Sequence, residues 1–285
     1  MREKWRRRVD LSTTVRENAP TQPADLPMPC ILVTVTDSIA TITLAAPKHN
    51  ALSAVLVGEI TAALASLAHE QARVVILRAQ AGAPVWSAGH DIDELPVDGR
   101  DPLGWDDPLP QLIREIEEYA APVIAMIEGT VWGGACEVAF ACDLVVATPG
   151  TTFAVTPAKL GVPYNVAGMV TFVNSANLRI VKEMAFTAAP LPAMRALALG
   201  MINDVVAKED LVDCTMRFAR AIAANAPLSV AVMKEQLRIL AGARPMSPQG
   251  FERVQGLRRL VYDSEDYREG IRAFKEKRKP AFKGK

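Results

Sequence analysis

Two short stretches carry the residues whose types and spacing could do chemistry. The first is Trp86-Ser87-Ala88-Gly89-His90-Asp91-Ile92, which follows an apolar run at 74–77 and a turn at Gly82. Small residues at 88 and 89 let the backbone approach a ligand closely, and a bent loop after a strand leaves an N–H pointing outward. The second is Glu128-Gly129-Thr130-Val131-Trp132-Gly133-Gly134-Ala135-Cys136-Glu137, where a buried-strand pattern passes through a Gly pair into a helix. The first N–H groups of a helix have no internal partner and sit at the positive end of its dipole. Each stretch alone has an ordinary alternative. Ala88-Gly89 can be a plain turn with His90 on the surface, and Gly133-Gly134 a spacer that lets strand and helix pack. Together, two strand-end loops that each present one N–H are what an oxyanion hole requires.

The elements that must position these loops read as α/β. Residues 31–35 and 39–44 form a hairpin pattern around Thr36-Asp37-Ser38, and Leu56, Ile60, Ala63, Leu64 and Leu67 recur at helical spacing. Strands are predicted at 74–77, 123–127 and 144–147, with helices at 111–119 and from Gly133-Gly134 onward. After about Asn177 strands nearly vanish. Helices are expected over 193–199, 211–224, 228–240, 247–262 and 264–277, separated by Gly200, Asn225-Ala226-Pro227 and residues 242–245. The division that follows is an extension over 1–29, a strand-rich core over 30–200 and a helical C-terminal region over 201–285.

The bulk composition narrows the possible functions. The chain has 285 residues, 50% of them hydrophobic, and its 32 basic and 32 acidic side chains cancel. No whole-chain field therefore draws it to nucleic acid or an anionic membrane, and specificity must come from a site. No run approaches the roughly 18 apolar residues of a spanning helix. Cys30, Cys136, Cys142 and Cys214 lack CxxC spacing, so a metal site is not expected, and free thiols in a reducing, cytoplasmic compartment are. Residues 1–29 mix Arg with Asp, Glu and Pro and show no periodic apolar face, which predicts a loosely attached extension; Glu3, Asp10, Glu17 and Asp25 argue against a targeting peptide.

With the string SAGHDI, the segment WGGACE followed by CDLVVA, the early KHNALS and the late EGIRAFKEKRKPAF, the chain resembles the crotonase (enoyl-CoA hydratase/isomerase) superfamily from about Cys30 onward. The resemblance implies a spiral of ββα turns with a helical C-terminal region that builds homotrimers, often paired into hexamers. It implies a coenzyme A thioester as ligand and no separate cofactor. By position, the N–H groups of His90 and Gly134 would hold a thioester enolate, and Ala88, Gly89, His90, Asp91 and Ile92 would line the thioester and pantetheine path. Phe274 and Lys277 would reach the nucleotide end, where a lysine suits phosphate. The alternative for the lysine-rich run is a solvated basic helix end.

The reaction is narrowed by what is missing. Hydratases of the family use two glutamates; Glu137 matches the first, whereas Pro157, or Ala158 if a gap is allowed, stands at the second. Neither residue can transfer a proton, so two-carboxylate hydration is in doubt. Decarboxylation of a malonyl-type thioester needs an enolate but no general base. The segment TPAKLGVPYN at 156–165 is similar to that of decarboxylating members, which implies Thr156 and Tyr164 as polar groups near a substrate carboxylate. Thr156 could instead cap a turn, and Tyr164 could be a core aromatic. Glu137 is expected in the active site with no assigned role. A hydratase or isomerase, and a non-catalytic acyl-CoA binder, stay in play.

Overall fold

The computed structural model describes residues 29–96, 98–243 and 245–285. All but the last residue of the expected N-terminal extension therefore lies outside the described residues. The chain opens with strands β1 (Ile31–Thr36) and β2 (Ile39–Leu44), paired antiparallel through a turn in which Asp37 and Ser38 both take positive φ. That turn hand matches the twist of a two-residue hairpin. A single turn, α1 (Pro47–Asn50), leads to α2 (Ala54–His69), whose N-cap Ser53 accepts from the Leu56 N–H. Leu56, Val57, Ile60, Leu64 and Leu67 of α2 are all buried, each stabilising the packing by about 1.5–3 kcal/mol.

Three turns of a spiral follow. The first is β3 (Val74–Ala79), β4 (Val85–Ser87) and α3 (Pro108–Glu118). The second is β5 (Val123–Ile127), β6 (Thr130–Trp132) and α4 (Gly134–Ala141), and the third β7 (Leu144–Ala147), β8 (Thr152–Ala154) and α5 (Val166–Ser175). The first strand of each turn joins one sheet, ordered β1-β2-β3-β5-β7-β10, and the second joins another, ordered β4-β6-β8-β9. Successive turns pair in parallel in both sheets. The expected ββα spiral is therefore present. The residue pattern alone shows only the longer strand of each turn, because β4, β6 and β8 span three residues and leave no alternation to read.

Helix α6 (Leu178–Thr187), strand β9 (Leu191–Pro192), helix α7 (Ala193–Ala198) and strand β10 (Asp204–Val205) close the two sheets. The C-terminal helices are α8 (Leu211–Ala223), α9 (Pro227–Gly242), α10 (Pro248–Tyr262) and α11 (Glu265–Lys275). Helix α8 buries Leu211, Cys214 and Ala219 on the sheet face formed by Ile39, Val74, Ile76, Ile124, Met126 and Val146. Helix α11 returns to the core, and its Tyr267 hydroxyl donates to the Pro96 carbonyl at 2.7 Å.

Candidate active site

The loop at 87–92 is held by the KHNALS segment. Lys48, His49 and Asn50 all take positive φ, which bends the chain around the loop. Ser87 donates its hydroxyl to the Asn50 carbonyl at 2.6 Å, the Asn50 amide donates to the Trp86 carbonyl at 2.9 Å, and the Ala88 N–H donates to the His49 carbonyl at 3.0 Å. Leu52 and His90 form a parallel bridge: the Leu52 N–H donates to Gly89 at 2.7 Å, and the Asp91 N–H to Leu52 at 3.4 Å. In a parallel ladder that pattern leaves the N–H of the bridged residue facing the other way. The His90 amide is the one so exposed.

The second loop meets it there. Gly133 adopts φ 52°, ψ −124°, a conformation open to glycine, and its N–H donates to the Ala154 carbonyl at 2.8 Å. Gly134 is then the first residue of α4, with no intrahelical acceptor for its N–H. A Cβ placed on Gly134 would sit 3.7 Å from the His90 nitrogen, and one on Gly89 would sit 3.1 Å from the Gly134 nitrogen. Neither amide donates to a described group. Two unpaired donors thus converge on one point, the geometry that stabilises a developing oxyanion.

Both donors open into a cleft of about 770 Å³. Ala88, His90, Asp91, Ile92, Gly134, Thr156, Tyr164, Phe274 and Lys277 all line it; Gly89 shapes the turn without lining the wall. Sequence reasoning missed the apolar wall of Leu95, Leu103, Leu109 and Leu160, which comes from three separate segments. It also missed Lys48 and Lys159. Lys48 bridges Asp91 at 3.0 Å and Asp93 at 2.7 Å, whereas Lys159 and Lys277 have no ion pair among the described residues. Lys277 has φ 53° at the end of α11: its N–H donates to Phe274 and that of Arg278 to Ala273, both at 3.0 Å. This is a Schellman ending with lysine where glycine is usual. Lys277 thereby lines the cleft.

Thr156 precedes a 3₁₀ turn, Pro157–Leu160, and its side chain makes no cap there; a Cβ on Gly133 would lie 3.2 Å from its Oγ1. Pro157 faces the cleft, while Ala158 lines a different surface cavity. Of the two residues expected at the second acid's position, proline is the one on the cleft wall. Tyr164 packs edge-on to Phe172 at 5.2 Å, and its hydroxyl is buried without a partner among the described residues. Burial, and then the nearby Glu137, raise its pKa well above the usual phenol range.

Glu137 is placed differently from the expectation. It is 3% exposed and lines a second cavity behind α4, not the cleft. Burial, followed by the charge of Glu117, pushes its pKa up to about 8.

Residues 34–285 match the enoyl-CoA hydratase/isomerase family, and the chain belongs to it. It is 52% identical to methylmalonyl-CoA decarboxylase of Escherichia coli K12 over 237 residues, covering 83% of this chain and 91% of that protein. It is 33% identical to carnitinyl-CoA dehydratase of Escherichia coli O157:H7, covering 87% and 96% of the two. Among solved structures, methylmalonyl-CoA decarboxylase complexed with 2S-carboxypropyl-CoA superimposes with a TM-score of 0.89, 48% identity and coverage of 91% of this chain and 100% of that one. The same enzyme in complex with 2-nitronate-propionyl-CoA gives 0.88, 49% identity and coverage of 90% and 98%.

Proposed function

We propose that the protein decarboxylates methylmalonyl-CoA to propionyl-CoA and carbon dioxide. The observation that carries this reading is a cleft with two N–H donors whose only carboxylates, among the described residues, are Asp91 and Asp93, both tied to Lys48, while Pro157 lines the wall. Loss of carbon dioxide breaks the bond to C2 and leaves its electron pair as the thioester enolate, so no metal or redox cofactor is needed. The oxyanion forms between His90 and Gly134. Thr156 and Tyr164 hold the departing carboxylate so that the breaking bond lies across the thioester π system. The apolar wall excludes water from that carboxylate, and Lys159, Lys277 and Phe274 receive the nucleotide end. Incubation with methylmalonyl-CoA should yield propionyl-CoA by mass spectrometry; turnover of crotonyl-CoA alone, dependent on Glu137, would favour a hydratase instead.

Tyr164→Phe separates catalysis from folding. The hydroxyl has no hydrogen-bond partner among the described residues, so its removal is expected to leave the unfolding midpoint unchanged or raised. Decarboxylation should fall by about tenfold to a hundredfold, the loss of one charge-assisted hydrogen bond of about 1.5–3 kcal/mol. Equal activity of the two forms would remove Tyr164 from the mechanism.

The working form is a homotrimer or a pair of trimers in the cytoplasm. Leu228, Val232, Leu237 and Leu240 on α9 and Leu257 and Leu260 on α10 are exposed in the single chain, an apolar surface of the kind that an assembly covers. Light scattering should give a mass of three or six chains, and a monomer at micromolar concentration would overturn the assembly. All four cysteines are free, as suits a reducing compartment. Cell fractionation would test that location.

A further inference from the structure

The Tyr164 hydroxyl has no hydrogen-bond partner among the described residues, so its place is set by the chain on either side of it and by the Phe172 ring. Both flanks are tied down. On one side the Pro163 carbonyl accepts from the Tyr262 hydroxyl at 3.2 Å. On the other, Asn165 accepts from the Gly168 N–H at 2.7 Å as the N-cap of α5, and its amide donates to the Leu103 carbonyl at 3.0 Å. The Leu103 N–H donates in turn to the Asp101 carboxylate at 2.8 Å. Arg258 closes the circuit. One of its Nη atoms meets an Asp101 oxygen at 2.6 Å; the other donates to the second Asp101 oxygen at 2.7 Å and to the Tyr262 hydroxyl at 3.2 Å.

We propose that Arg258 and Tyr262, on α10 and outside the cleft, are the positioning residues of Tyr164. The inference rests on the decarboxylation reading, in which Tyr164 meets the substrate carboxylate while the thioester oxygen sits between His90 and Gly134. Tyr164 and Leu103 line the cleft, whereas Arg258 and Tyr262 do not. The ring of hydrogen bonds that the α10 pair closes therefore fixes a polar and an apolar part of the cleft wall together. A carboxylate held at the wrong angle keeps its breaking bond near the thioester plane. Displacing the phenol thus slows the chemistry more than it weakens binding.

Stability alone does not account for these residue types. Arg258 is 5% exposed, and its Nε is buried without a partner among the described residues. An ion pair desolvated to this degree often adds nothing over well-packed apolar groups; what it supplies is a fixed geometry. Here a planar fork reaches both Asp101 oxygens, the Tyr262 hydroxyl and the Gln255 side-chain oxygen. Arg258 and Tyr262 stand one turn apart on the same face of α10. Tyr262 packs edge-on to Tyr267 at 5.3 Å, and the Tyr267 hydroxyl holds the Pro96 carbonyl. A Cβ on Gly99 would lie 2.7 Å from the Asp263 Oδ1, just beyond α10. The chain leading to Leu103 thus meets the end of α10 and the start of α11 at Pro96, Gly99 and Asp101, and the ring rests on a rigid base.

The test is steady-state decarboxylation of methylmalonyl-CoA by Tyr262→Phe and Arg258→Lys, each shown to be folded by thermal unfolding. Tyr262→Phe loses only the hydroxyl and keeps its ring on Tyr267. Its kcat should fall about tenfold with KM within about threefold, since a misplacement of about 1 Å can cost about a hundredfold. Arg258→Lys keeps the charge but not the fork and should lose as much; full kcat in that variant overturns the proposal, and so does a rise in KM alone. In a Tyr164→Phe background, Tyr262→Phe should cost less than about twofold, because residues that act as a unit are not additive. An equal loss in both backgrounds overturns the proposal, since Tyr262 would then act without Tyr164; no loss in either does the same. Should Arg258→Lys fail to fold, Tyr262→Phe decides alone. If the unsubstituted protein releases no carbon dioxide, the decarboxylation reading fails instead, and the positioning is read directly. The chain has four tyrosines, so fluorine NMR of fluorotyrosine-labelled protein gives a Tyr164 line that is identified by its loss in Tyr164→Phe. That line should shift or split in Tyr262→Phe, and an unchanged line overturns the proposal.

Discussion

Replacing Gly89 with alanine is expected to lower kcat/KM for the acyl-CoA substrate by about 10²–10³-fold, measured on the folded fraction. Gly89 sits at φ 82°, and a Cβ there would overlap the Trp132 carbonyl oxygen. The obstacle is backbone, so relief requires the 87–92 loop to move away from β6. That displaces the His90 nitrogen from the point it shares with the Gly134 nitrogen. Losing one such donor costs about 2.7–4 kcal/mol of transition-state stabilisation. His90→Ala is the contrast, because it keeps the backbone N–H and the Leu52 bridge and should stay within about tenfold of the original rate. A Gly89→Ala protein as active as His90→Ala would place the oxyanion elsewhere.

The second large effect is expected at Gly270→Ala. Gly270 lies in α11 where the helix crosses the 157–160 turn, and a Cβ there would overlap the Leu160 carbonyl. Gly161, at φ 67°, makes the same approach from the opposite side: its Cβ would lie 2.9 Å from the Asp266 oxygen. An extra methyl has no side chain to push aside, so α11 must lift from the turn. Overpacking of this kind costs about 1–3 kcal/mol, and more where backbone cannot yield. Helix α11 and the residues that end it carry Phe274, Lys275 and Lys277, and the turn carries Pro157 and Leu160, all on the cleft wall. Thermal unfolding should therefore shift down and KM rise at least tenfold, with kcat less affected. An unchanged midpoint and KM would show that the docking of α11 does not shape the cleft.

Much of the site was legible because its chemistry lies in the backbone of two glycine-containing loops, and glycine spacing survives in a sequence. Gly133-Gly134 announced both a helix start and an unpaired N–H, and the structure places Gly134 at the first position of α4. The Gly of EGIRAF was visible too, but its purpose depends on a carbonyl 110 positions earlier in the chain, which no local pattern reveals. Glu137 shows the same limit. Its place near a helix start was readable, yet which side of α4 it faces depends on how α3 and α5 pack against that helix, and this packing turns it toward Glu117. The apolar wall was hidden for a related reason: Leu95, Leu103, Leu109 and Leu160 read separately as ordinary core residues. The three-residue strands were missed because their place is set by pairing with the previous turn of the spiral.

The bridge between Leu52 and His90 bears on how such a protein can change over time. Because the amide at 90 is aimed by strand pairing, its direction does not depend on what side chain residue 90 carries, and the same holds for the first amide of α4. The stabilising device thus lies in chain geometry, while the reaction it serves depends on the side chains at 90, 156, 157 and 164 around it. A lineage can keep the enolate and exchange the chemistry that produces it, one side chain at a time, without passing through an inactive scaffold.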